Sequence, residues 1–157
     1  MTDNNKIEIL SSIIDTDNYQ KLEDFLNNNK IPKYILNVVV NRTIIRNSFN
    51  CFKYILTKKI YPTEEHYYSI FKYNRIEMLK YILSLPEGNP EFKEMLEGPC
   101  YLLKHMLGAN SNTALLRFIL ENVNLSKKVK TQILRTAVTW ENLKAANLLI
   151  IYGTGVY

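Results

Sequence analysis

The chain has 157 residues, enough for one domain that buries roughly two-thirds of its unfolded surface. Hydrophobic residues make up 46% and charged residues 22%, a globular composition that excludes disorder, while five Gly and five Pro supply few of the tight turns of a β-sandwich or barrel. Net charge is +5 but uneven: residues 1–31 carry three basic and six acidic side chains, −3, and residues 123–157 carry five basic and one acidic, +4. MTDNNKIEIL, acidic and polar, has no apolar core of a signal peptide, and no apolar run approaches the ~20 residues of a membrane helix, so no membrane association and a cytoplasmic or nuclear location are expected.

In chain order, IEILSSII has apolar residues at helical intervals and leads into NYQKLEDFL from Asn18, with Leu22, Phe25 and Leu26 on one stripe. Pro32 near a helix start opens YILNVVVNRTII, followed by SFNCFKYIL from Ser48, with Phe52, Ile55 and Leu56. Pro62, then Thr63 with the acidic first turn Glu64 and Glu65, opens EEHYYSIF, followed by RIEMLKYIL from Arg75, with Leu79, Ile82 and Leu83. The stretch PEGNPEFKEMLEGP, residues 86–99, reads as a tolerated surface insertion in which Glu91 to Leu96 form an extra turn. CYLLKHML and NTALLRFIL from Asn112, with Leu116, Ile119 and Leu120, come next. Ser126 caps KKVKTQILRTAV, and NLKAANLLI from Asn142 closes the series with Ala146, Leu149 and Ile150.

The five second-helix segments align without gaps and start 30, 27, 37 and 30 residues apart. Neither helix of a pair can bury its stripe alone, so neighbouring pairs must stack. The spacing predicts an all-α chain of ten main helices in five antiparallel pairs, with Leu22, Phe25, Phe52, Ile55, Leu79, Ile82, Leu116, Ile119 and Leu149 in the core.

Ile70, Phe71, Lys72, Tyr73, Asn74, Arg75, Ile76 and Glu77 running into MLKYIL resemble the ankyrin consensus of two small residues, two variable ones, Gly-His and a hydrophobic-acidic pair before the second helix. Ala137, Val138, Thr139, Trp140, Glu141, Asn142, Leu143 and Lys144 before AANLLI match again, and YGTGVY resembles the loop after an ankyrin second helix. The repeats are eroded: no Thr-Pro-Leu-His opens a first helix, the turn His is replaced by Asn, Ser or Arg, and most hairpins are missing. The resemblance implies an α-solenoid of about five ankyrin-like helix pairs with mostly missing β-hairpins, residues 1–157 forming a single repeat domain. Its function would be protein–protein interaction. Such eroded repeats resemble families of large DNA viruses and some intracellular bacteria, which implies a host protein as partner.

The resemblance also points to the variable pairs at the tips between helices. They are Asp15 and Thr16, Ile45 and Arg46, Lys72 and Tyr73, Ala109 and Asn110, and Thr139 and Trp140. Arg46, Lys72, Tyr73, Asn110 and Trp140 are the candidate partner contacts, and Arg, Tyr and Trp are the types most enriched at hot spots. The last segment, LKAANLLIIYG, is apolar on nearly all sides, so Leu148 and Ile151 are candidates for a homodimer interface, unless Tyr152, Val156 and Tyr157 fold back over it.

Residues for chemistry are scarce. His66 and His105 stand in different units, Cys51 and Cys100 sit among apolar residues, and Cys100 and His105 are five apart, off one helical face. No Gly-rich phosphate loop is present. No catalytic, metal or cofactor role is assigned, and an enzyme is not expected. The alternative to protein binding is nucleic acid or an acidic partner at Lys127, Lys128, Lys130, Arg135 and Lys144, but no nucleic-acid motif accompanies them, which disfavours it.

Overall fold

The computed structural model describes residues 1–60, 62–86, 88–97, 107 and 113–152. Among them it has ten helices and no strand. They are α1 (Asp3–Asp15), α2 (Tyr19–Asn28), α3 (Lys33–Arg46), α4 (Phe49–Leu56), α5 (Glu64–Lys72), α6 (Ile76–Ser84), α7 (Gly88–Glu97), α8 (Thr113–Asn122), α9 (Lys127–Thr139) and α10 (Leu143–Ile151). The chain divides into two compact units, Met1–Met78 and Leu79–Tyr157, and the division falls within α6.

Polar residues written just ahead of apolar stripes start these helices. The Thr2 side chain accepts from the Asn5 N–H at 3.2 Å, Asn18 from Lys21 at 3.1 Å, Ser126 from Val129 at 3.2 Å, and Asn142 from Ala145 at 3.1 Å. Each such cap stabilises a helix by about 1 kcal/mol. Pro32 stands at the N-cap of α3, one position ahead of the helix, where its fixed φ suits the extended entry and no N–H is lost.

In the first unit, α1 packs against α2 and α3 against α4. The first helices α1, α3 and α5 lie side by side in that order, and the second helices α2 and α4 are neighbours. Their shared interior holds Leu10 and Ile14, Leu22, Val39 and Ile44, Phe52 and Ile55, and Tyr67 and Ile70, all buried. In the second unit α10 packs against both α8 and α9, around Ile119, Ile133, Ala137 and Leu149.

Eight of the nine expected core residues are buried. The exception is Phe25, which is half-buried. Its helix, α2, has α1 and α4 as neighbours, and the face bearing Phe25 is only partly covered. Two further expectations change at residues 86–99. Instead of one extra turn, Gly88–Glu97 form a ten-residue helix, α7. Phe92 and Leu96, four apart and so on one face, are fully buried in the second unit, so this stretch contributes core and is not a plain surface insertion. Pro90 falls in the first turn, where a helix has no use for an amide N–H. The segment CYLLKHML lies outside the described residues except for Leu107, which is buried.

Candidate binding surface

Four inter-helix tips share one backbone turn. Asp17, Asn47, Asn74 and Glu141 all adopt left-handed φ, between 50° and 56°. At each, that residue's N–H returns to the carbonyl three residues back, and the next residue's N–H returns to the carbonyl five back. Asn47 donates to Ile44 at 3.2 Å and Ser48 to Thr43 at 2.8 Å, and Glu141 donates to Val138 at 3.0 Å and Asn142 to Ala137 at 2.8 Å. This is the Schellman ending of a helix, usually made with Gly. At Asn74 and Glu141 it falls where the aligned ankyrin consensus, which the sequence resembles, has Gly.

The residue after each left-handed one starts the second helix, and in three turns its side chain reaches back to a main-chain carbonyl earlier in the chain. The Ser48 hydroxyl donates to the Ile14 carbonyl. Arg75 donates through Nε to the Ile44 carbonyl at 2.8 Å and through Nη2 to Ile45 at 2.7 Å. Asn142 donates through Nδ2 to the Leu107 carbonyl at 3.2 Å. Ser48 and Arg75 thus add a second donor to the Ile14 and Ile44 carbonyls, which already accept the N–H of Asp17 and Asn47. Asp17 works in the other direction. Its carboxylate accepts from the Cys51 N–H at 3.0 Å and from the Asn50 side chain at 3.1 Å, capping α4.

The tip residues divide by environment. Arg46 is exposed but places its Nε 3.4 Å from Asp15, a carboxylate that Arg42 already holds through Nε at 3.0 Å and Nη2 at 2.8 Å. The hydrogen bond from Arg42, with both guanidinium charges, keeps the Asp15 carboxyl below its ordinary value. Exposed pairs of this kind contribute little stability, so they pin α1 to α3 without dominating the fold. Lys72 is exposed at the end of α5, with Nζ 5.6 Å from the Tyr73 ring centre and 5.9 Å from that of Tyr68. Arg75 lies 5.8 Å from the same Tyr73 ring. Tyr73 is therefore an exposed aromatic flanked by two cations, one of them fixed by two backbone carbonyls.

In the second unit Trp140 is 47% exposed, at the end of α9. Val138 and Leu143, close to it in sequence, are exposed, and so are Ile150 and Ile151 at the end of α10, Ile151 at 76%. Leu148, by contrast, is only 7% exposed. Leu148 and Leu149 both turn inward on α10, which leaves Ile151 as the surface member of the pair singled out from the sequence. Tyr152 folds toward α8, its hydroxyl donating to the Glu121 carboxylate. Asn110, Cys100, His105, Val156 and Tyr157 lie outside the described residues.

A cleft of about 260 Å³ in the first unit, where α5 packs beside α3, was not anticipated. It is lined by Asn37, Val38 and Asn41 of α3 and by Thr63, Glu65 and His66 at the start of α5. His66 is 2% exposed and uses both ring nitrogens: Nδ1 accepts from the Thr63 N–H at 3.0 Å, and Nε2 is 3.0 Å from the Asn37 carbonyl. That pairing fixes the neutral tautomer with the proton on Nε2, and burial lowers the pKa from its ordinary 6.5. Three residues on, the buried Ser69 hydroxyl donates to the Asn41 Oδ1 at 2.6 Å. The legible signal was Asn37 and Asn41, two carboxamides four apart in an otherwise Val- and Ile-rich helix.

Cys51 is buried at the start of α4, and burial, then the nearby Asp17 carboxylate, push its thiol up to about 12, so it is an inert core side chain. Among the described residues no group of three or more His, Cys, Asp or Glu could hold a metal ion, and no helix is long and apolar enough to cross a membrane. No protein-family model, curated protein or solved structure matches the chain.

Proposed function

We propose that the chain is a protein-interaction module built as a solenoid of ankyrin-like helix pairs, and that it binds its partner through the outer face of the first helices and the adjoining tips. The observation that carries this reading is the one Schellman turn recurring at Asp17, Asn47, Asn74 and Glu141, the last two at the aligned consensus Gly position of the family the sequence resembles. The side-by-side order of α1, α3 and α5 supports it, because stacked first helices present one continuous face. On the first helices and their tips the exposed large side chains include Ile9, Tyr34, Val38, Arg46, Lys72 and Tyr73, and Trp140 stands at the tip after α9. In the viral or intracellular-bacterial setting that eroded repeats suggest, the partner is a host protein. The exposed Ile151 supports, in addition, association with a second copy.

Affinity capture from host-cell lysate with wild-type chain, read by mass spectrometry, tests the first part. Tyr73→Ala or Trp140→Ala is expected to weaken the captured complex by about 2 kcal/mol with an unchanged Tm. If those variants and Arg46→Ala and Lys72→Ala all bind as wild type, the tips are not the contact. Light scattering on a dilution series of Ile151→Glu tests self-association: a monomer at every concentration, for wild type and variant alike, removes the second copy.

A further inference from the structure

We propose that the cleft between α3 and α5 is the subsite for one extended segment of a protein partner, gripped by its backbone and carrying a Lys or Arg side chain toward Glu65. The inference rests on the protein-binding reading and narrows it to a site and a ligand chemistry.

The spacing of the polar groups comes first. Asn37 and Asn41 are four residues apart on α3, which sets them roughly 6 Å apart along the helix axis at 1.5 Å per residue. In an extended chain, peptide groups facing the same way recur every second residue, roughly 6.7 Å apart. A strand laid along α3 therefore meets a carboxamide at each outward-facing peptide group. A carboxamide offers both a donor and an acceptor, the same pair that an extended residue presents on one edge.

The orientation of these groups comes next. Asn37 gives His66 its backbone carbonyl, and its exposed carboxamide lines the cleft. Asn41 accepts the buried Ser69 hydroxyl at Oδ1, a bond that fixes which end of the amide is the oxygen and leaves the NH2 to donate. His66 and Ser69 thus hold α3 and α5 in register from below, and the polar atoms above need no rearrangement to receive a ligand. Val38, 55% exposed between the two Asn residues, gives one apolar contact for a ligand side chain.

The charge selects the ligand. Glu65 is exposed at the cleft and disfavours an anion there, while a cationic side chain gains a partner. The cleft is too small and too polar for a drug-sized apolar molecule, whose sites run from about 300 Å³ upward with mostly apolar walls. A short stretch of backbone with one basic side chain fits both the volume and the lining.

The test is selection of a displayed library of randomised hexapeptides on the intact chain, with selected peptides resynthesised and measured by fluorescence anisotropy. The expected peptides share one Lys or Arg. Glu65→Lys weakens them by about tenfold, and Glu65→Gln by less. Asn37→Ala weakens them measurably at unchanged Tm, since that side chain is exposed. N-methylation of single backbone amides weakens binding at alternate positions, as backbone recognition requires. Selected peptides that bind Asn37→Ala and Glu65→Lys as tightly as wild type overturn the cleft while leaving a protein-binding chain. A library that yields no binder also overturns it, and the broader reading then stands or falls on the lysate capture.

Discussion

The turn at Asp17 and the turn at Glu141 have the same backbone and are held by different means. Both put a non-Gly residue at φ between 50° and 56° and return two N–H groups to the same two carbonyl positions. Asp17 is partly buried and caps α4 through the Cys51 N–H and the Asn50 side chain. Glu141 is exposed, and among the described residues its carboxylate has no such cap to make. A left-handed conformation costs a residue with a Cβ about 1 kcal/mol or more. At Asp17 the capping bonds offset that strain, and at Glu141 no such bond does so among the described residues. The geometry is shared by the two turns, and the means of support is local.

The largest expected effects should not distinguish the two regions. Phe52→Ala in the first unit should cost about 3–5 kcal/mol and Leu79→Ala in the second about 2–5, because both side chains are fully buried. Denaturant unfolding that left either variant near wild type would break the account of the core. Next comes the turn itself. Asp17→Ala should destabilise by about 1–2 kcal/mol through loss of the α4 cap, while Glu141→Ala should stay within about 0.5 kcal/mol of neutral. Equal losses at the two sites, measured by thermal unfolding, would remove the distinction. Smaller again, Glu141→Gly should stabilise by about 0.5–1 kcal/mol, since Gly adopts positive φ without the steric penalty.

The smallest effect sharpens the comparison by pH. His66 is neutral in the native chain with its pKa lowered by burial, so the unfolded chain takes up a proton near 6.5 while the native chain does so only at lower pH. Stability is therefore full above about 6.5 and falls as pH drops from there toward the native value. His66→Gln should flatten that slope in a Tm-versus-pH series, and a slope unchanged by the substitution would mean that another group titrates there.

The helices were legible because their burial is periodic. Apolar residues at the fifth and eighth positions of each aligned copy found the buried Leu22, Phe52, Ile55, Leu79, Ile82, Leu116, Ile119 and Leu149. Phe25 shows the limit, since a pattern records which face is apolar and not how much of it a neighbour covers. Residues 88–97 show another: three Pro and two Gly in PEGNPEFKEMLEGP argued for a loop, and tertiary burial of Phe92 and Leu96 outweighed them. Leu148 was indistinguishable in sequence from Ile151, because an all-apolar stretch has no polar side to reveal its orientation. At the candidate surface, the tips at Arg46, Tyr73 and Trp140 were legible as exposed residues. The ion pair of Arg46 with Asp15, 31 residues away in the chain, was not, and of the cleft only Asn37 and Asn41 stood out, since it exists only once α5 lies beside α3.

The three side chains that reach back, Ser48 to Ile14, Arg75 to Ile44 and Ile45, and Asn142 to Leu107, share a consequence for substitution. Each acceptor is a main-chain carbonyl, which every residue type supplies, so the fastener makes no demand on the identity of the residue it grips. A substitution at Ile14, Ile44, Ile45 or Leu107 leaves that acceptor in place. On the donor side, Ser, Arg and Asn already fill the same post. Variety among the gripping side chains is therefore compatible with one kind of main-chain connection.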